Sequence, residues 1–105
     1  MVVSMRPYLH SDAIRAAIIT SKYHRVHGAP IHIGDPGLIG VSTPLNCPDF
    51  GDPVIINHGE KPMFWACVVT SQVALEEAKP PLCITHSPGC MLVTDVLNNC
   101  LRVSD

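Results

Sequence analysis

Charged and aromatic residues are both scarce in this chain of 105 residues. Asp, Glu, Lys and Arg make up 15% of it, whereas soluble domains average about 25%. Seven basic and nine acidic side chains give a formal net charge of −2, which excludes the basic footprint of a nucleic-acid-binding protein. No apolar run approaches the ~20 residues of a membrane-spanning helix. The sequence therefore predicts neither nucleic acid nor membrane as a partner.

Paired metal-binding or disulfide-forming cysteines are also missing. The cysteines are odd in number, and neither C-x-x-C nor H-E-x-x-H occurs. They stand at Cys47, Cys67, Cys83, Cys90 and Cys100. Residues 1–7 lack the apolar region of a secretory signal. We expect reduced thiols in the cytoplasm or the mitochondrial matrix, and neither a metal nor another cofactor.

Apolar residues are plentiful, at 47% of the chain. A length near 100 residues allows a single domain over 1–105, or a portion of a larger one. Because a chain this small buries only about 60–70% of its unfolded surface, we expect apolar surface that is covered either by a second copy or by a missing piece of the same protein.

The hydrophobic pattern predicts short strands alternating with short helices. The expected strands span 1–5, 31–33, 54–56, 63–69, 82–85 and 91–94. The expected helices span about 12–24, capped by Ser11, and about 71–79, with one helical turn at 38–40. Ile14, Ala17 and Ile18 share a face of the first helix. This order predicts an α/β fold with a mixed, partly parallel sheet and short helices, an incomplete part of a larger α/β fold.

Polar residues gather where predicted strands end, which is where α/β sheets bind ligands. The segments concerned are HGAPIHIGDP (27–36), WAC (65–67) and THSPG (85–89). Glycines beside the histidines allow close backbone approach to an anion, so a small carboxylate would suit the site. Structural roles stay open: His32 fits the solvated face of an edge strand, Asp35 an ordinary turn, and Trp65 and Cys67 the core.

Five blocks in order resemble the D-glutamate cyclase family of hydro-lyases. They are VVSMRP (2–7), HGAPIHIGDP (27–36), PDFGDP (48–53), GEKPMFWAC (59–67) and ITHSPGCMLVTD (84–95). Two departures accompany the match. VVTSQ (68–72) stands where the family has Gly-Val-Thr-Pro-Gln, and the family's longer N-terminal half is missing, so the chain looks like the C-terminal part of such a protein.

The resemblance implies a lyase that converts D-glutamate to 5-oxo-D-proline with loss of water. This chemistry needs a general base and acid near neutral pH and donors for a tetrahedral oxyanion. Within that framework we predict His32, Asp35 and His86 as catalytic residues. We predict substrate contacts from His27, Gly34, Gly89, Glu60 and Arg6. Two alternatives remain: a truncated, non-catalytic binding module that keeps part of the pocket, or a hydro-lyase for another small amino or hydroxy acid.

Overall fold

The computed structural model of the protein describes residues 1–87, 91 and 93–103. The strands in these ranges are β1 (Val3–Tyr8), β2 (His32–Ile33) and β3 (Lys61–Ala66). The α-helices are α1 (His10–Ser21), α2 (Val69–Ala78) and α3 (Asn98–Leu101), and a 3₁₀ helix spans Pro36–Ile39. The mixed α/β class is thereby confirmed.

The sheet has the order β1-β3-β2, and both of its pairings are antiparallel. The predicted partly parallel sheet is therefore wrong. β1 and β2 do run in the same direction and are joined through α1, as the alternating pattern indicated. They are not neighbours, however, because β3 is inserted between them and runs opposite to both, giving a split β-α-β arrangement.

β1 continues through Arg6 and Pro7, where we had expected it to end. Pro7 pairs with Pro62 across the two strands. Cys67 N–H donates to Val2 O, and hydrogen-bonded pairs alternate along an antiparallel ladder. The nitrogen of Pro7 therefore faces the open edge of β1, where a missing N–H costs no ladder hydrogen bond.

Helix α1 packs its alanines, not its isoleucines, on the sheet. Ala13 is buried with Met63 and Trp65, and Ala16 and Ala17 pack against this cluster. Ile14 and Ile18, for which we had predicted only a helix face shared with Ala17, are 64% and 57% exposed. The small alanine side chains allow a close approach of the helix to the large side chains of β3.

Trp65 fastens this helix to the sheet. Its indole N–H donates to Thr20 Oγ1 at 3.3 Å, and its ring meets that of Tyr8 edge-on, with centroids 6.1 Å apart. A buried indole needs both an apolar surround and a hydrogen-bond acceptor. Trp65 thus belongs to the core, the structural role left open above.

The remaining predicted strands and helices agree only in part with the structure. The predicted strands 54–56 and 82–85 are irregular, and the predicted strand 91–94 lies partly outside the described residues. Helix α2 begins two residues earlier than predicted and ends at Ala78, because Lys79 has a φ of 49°, which breaks the helix ahead of Pro80. Helix α3 was not predicted. None of the helices in the described part of the chain is long and apolar enough to cross a membrane.

The packing of α1 predicts that substitutions at two adjacent residues change the free energy of unfolding by different amounts. Ala13→Leu should lower the free energy of unfolding by about 1–3 kcal/mol, because the space against β3 is filled. Ile14→Ala should change it by less than about 0.5 kcal/mol, because its side chain is exposed. Urea denaturation of both variants measures this. A larger loss from Ile14→Ala would mean that the isoleucine face packs on the sheet.

Candidate active site

Residues 27–35, here called the histidine segment, run along the edge of β3 that faces away from β1. Alternate carbonyls of β3 point to this edge, and each accepts a hydrogen bond from the segment. The donors are Gly34 N–H to Pro62 O (2.9 Å), Ile31 N–H to Phe64 O (2.7 Å) and His27 Nδ1 to Ala66 O (2.7 Å). The His27 side chain thus takes the place of a backbone donor and holds the segment to the end of β3.

These contacts fix the protonated nitrogen of two imidazoles. A carbonyl oxygen only accepts hydrogen bonds, so His27 carries its hydrogen on Nδ1. His32 Nε2 lies 2.7 Å from Asp35 O, so His32 carries its hydrogen on Nε2. In each neutral ring the other nitrogen keeps a lone pair that can accept a proton. The segment therefore presents two bases through opposite ring nitrogens.

Asp35 meets His32 through its backbone. Its carboxylate Oδ1 accepts the Gly37 N–H at 2.9 Å and caps the 3₁₀ helix. We had predicted Asp35 as a catalytic residue. The observed contact to His32 comes from the carbonyl, while the carboxylate shapes the turn.

Gly34 and Glu60 also take part in local structure. Gly34 has a φ of 106°, a value that L side chains rarely adopt, and its N–H is bonded to β3. Glu60 Oε1 accepts the Asn57 N–H and Glu60 N–H donates to Asn57 O, which closes the turn that leads into β3. Gly89 lies outside the described residues.

His86 lies apart from the histidine segment in its bonding. Its Nδ1 contacts Ser87 O at 2.9 Å, and its own carbonyl accepts Gln72 Nε2 at 2.6 Å. Neither partner belongs to residues 27–35. The structure thus joins His27, His32, Gly34 and Asp35 in one segment and ties His86 to helix α2 instead.

A cavity of about 610 Å³ lies between β1 and the loop of residues 41–54. Apolar walls come from Val3, Met5 and Phe64, and Cys67 also lines it. The charged residues among its described lining are Arg6, Asp49 and Asp52. Its volume lies within the range of small-molecule sites, about 300–1,000 Å³, and its charges complement those of a zwitterion.

Sequence reasoning missed Asp49 and Asp52 as candidate site residues. They stand in PDFGDP (48–53), which we had interpreted only as a loop and as one block of the family resemblance. Two aspartates on either side of Phe50-Gly51 were the available signal. Their proximity to Arg6 depends on how the loop folds back over β1, and no local pattern reports that.

Phe64 connects the cavity to the histidine segment. Met5, Phe64 and His32 are paired across the three strands, so their side chains share one face of the sheet. Phe64 is 1% exposed, and its ring centroid lies 5.9 Å from that of His32. With strands ~4.8 Å apart, the backbones of Met5 and His32 are separated by about 10 Å. The charged cavity and the His32 ring thus lie on either side of one buried ring.

The block at residues 68–72 makes long-range contacts despite its departure from the family pattern. Thr70 Oγ1 accepts the Val2 N–H at 2.8 Å and donates to Val2 O at 3.1 Å, and Gln72 binds His86 as described. Val68 replaces the family's glycine with φ −62° and ψ −20°, an ordinary helical conformation. No special backbone geometry is required at that position.

Metal-binding clusters are not found in the described residues: no three His, Cys, Asp or Glu side chains are grouped to hold an ion. The cysteines at 47, 67, 83 and 100 are unpaired. With this set of side chains, the site offers acid–base chemistry and charge pairing from amino-acid side chains.

Comparison with known proteins identifies the family. The family model described as D-glutamate cyclase matches residues 1–95. Three similar proteins, each named "Putative hydro-lyase", come from Cupriavidus taiwanensis (58% identical over 99 residues), Burkholderia multivorans (59% over 103) and Geobacillus kaustophilus (56% over 103).

The matches cover most of this chain but only a minor part of each relative. They span 94%, 98% and 98% of this chain and 37%, 39% and 39% of those relatives, respectively. The chain therefore spans well under half the length of the curated relatives it matches. With the family model matching nearly the whole of it, the chain belongs to the D-glutamate cyclase family.

Proposed function

We propose that the family protein represented by this chain closes D-glutamate to 5-oxo-D-proline with release of water. One observation carries the proposal: His27 Nδ1 and His32 Nε2 each lie 2.7 Å from a backbone carbonyl oxygen, which can only accept a hydrogen bond. Each neutral ring therefore keeps one nitrogen as a base. The family match over residues 1–95 supports the choice of reaction.

The reaction needs proton transfer at two atoms. The substrate ammonium must lose a proton before its nitrogen can attack the γ-carboxyl carbon, forming the C–N bond. One oxygen of the γ-carboxyl then takes up two protons, which the nitrogen has released and the site has carried over. This oxygen leaves as water when its C–O bond breaks. His32 Nδ1 suits the first transfer and, once protonated, can return a proton to the leaving oxygen.

The charged cavity suits the ends of the substrate. The Arg6 guanidinium uses Nη1 to bind Met5 O at 3.0 Å, and its other N–H groups remain as donors for a carboxylate. His86, Glu60, Gly34 and Gly89 stay predictions for the remaining contacts, of which the oxyanion donors are the most demanding.

Full activity is best tested in a full-length chimera, made from the Burkholderia multivorans relative by replacing its 103 matched residues with this chain. We expect the chimera to form 5-oxo-D-proline from D-glutamate, detected by chiral chromatography. His32→Ala should lower kcat at least about 100-fold, because a general base is lost. His58→Ala, in an exposed turn, should stay within about twofold. A folded chimera without product would overturn the proposal.

A second variant tests the cavity. Arg6→Gln in the chimera should raise KM for D-glutamate at least about tenfold, because one charge-assisted contact to the carboxylate is lost. Arg15→Gln on helix α1 removes the same charge elsewhere and serves as the control. Steady-state kinetics with both variants measures KM and kcat. Equal KM values for the two would place the substrate outside this cavity.

A second candidate function is binding without turnover by the 105-residue chain alone. The observation that favours it is the separation of His86 and of the cavity from the two bases, with no hydrogen bond linking them in the described residues. Calorimetry with D-glutamate and 5-oxo-D-proline should then show binding while chromatography shows no product. Turnover by the isolated chain, as a well-folded monomer, would exclude this candidate.

A third alternative is a hydro-lyase that acts on a different substrate. Activity assays of the chimera with a panel of small amino and hydroxy acids test it.

A further inference from the structure

Helix α1 carries an apolar stripe that faces away from the sheet. Ile14 and Ile18 lie one turn apart, at i and i+4, and are 64% and 57% exposed. The opposite side of the helix already packs on β3 through Ala13. An exposed, contiguous pair of isoleucines beside a completed helix–sheet contact is typical of a surface that a further layer covers.

The whole chain exposes more surface than its mass accounts for. A compact monomer of 11.4 kDa exposes about 5,800 Å², whereas this chain exposes 7940 Å². The excess is roughly 2,100 Å², more than twice the ~800 Å² that each partner buries in a standard interface. The molecule is also flat, with extents of 46 × 37 × 20 Å. Its shape is that of a slab with uncovered faces.

Uncovered apolar residues lie on both sides of this slab. The α1 stripe lies on the helix side of the sheet. On the other side, Phe50 of the cavity loop lines the cavity together with Phe64 and is 42% exposed. A two-fold dimer buries one patch on each copy, so it would leave one of these sides exposed. A polypeptide longer than this chain can cover both.

We propose that Ile14 and Ile18 dock the part of a family chain that lies outside the matched region. The relatives supply such a part: the matches cover 93–98% of this chain but only 35–40% of the length of the first four relatives. The occupant is thus the rest of the same polypeptide and not a second copy. This inference rests on family membership and on packing, and does not depend on the reaction proposed above.

The test compares one pair of substitutions in two settings. Ile14→Glu/Ile18→Glu should leave the Tm of the isolated chain within about 2 °C, because both positions are exposed there. In the full-length chimera the same pair should lower Tm by at least about 5 °C, because the charges become buried. Ile14→Ala/Ile18→Ala is the milder variant if the charged one does not fold. Leu38→Glu, at a position 76% exposed on the 3₁₀ helix, is the matched control for a new surface charge.

The remaining outcomes decide between occupants. In sedimentation experiments we expect the isolated chain to be a monomer. A dimer that the Ile14→Glu/Ile18→Glu pair dissociates would make a second copy the occupant and overturn the proposal. Equal Tm shifts in chain and chimera would overturn it as well, and so would a chimera that does not fold. Since Tm is the readout, failure here is distinguishable from failure to turn over D-glutamate.

Discussion

Strand β3 is hydrogen-bonded along both edges, and β1, the histidine segment, helix α1 and the cavity are all arranged against it. Met63 and Trp65 face α1, and Phe64 faces the loop of the cavity; all three are at most 7% exposed. One edge pairs with β1 and the other holds β2 and the histidine segment. Because the backbone of β3 is satisfied on both sides, its position sets the cavity wall and the two imidazoles together.

Local patterns were sufficient to predict elements whose hydrogen bonds are local. The helices near residues 12–24 and 71–79 and the buried run 63–69 are present with shifted ends. The face of α1 that packs on the sheet could not be derived from the sequence, because hydrophobic periodicity ranks isoleucine above alanine. The structure instead requires small side chains where the helix meets Trp65, and only the partner surface determines that requirement.

Sheet order and the cavity depend on long-range contacts that no sequence window contains. β3 lies between β1 and β2 because the carbonyls of both its edges find donors, including a side-chain donor from His27. Likewise, we predicted residues 48–53 (PDFGDP) to be a loop. That prediction did not indicate that Asp49 and Asp52 line the same cavity as Arg6. By contrast, the contact between His32 and Asp35 joins residues only three apart in the sequence, so a local pattern could bring these two residues together.

The fold holds His27 and His32 through opposite ring nitrogens, which leaves one nitrogen lone pair free on each neutral ring. Long-range ¹H–¹⁵N NMR correlation of the histidine rings at a pH where both are neutral tests this directly. We predict the Nδ1–H tautomer for His27 and the Nε2–H tautomer for His32, and loss of the tautomer preference of His27 when the histidine segment is released by denaturant. If both rings show the same tautomer, or if each shows mixed populations in the folded chain, then the fold does not hold the two histidines through opposite ring nitrogens.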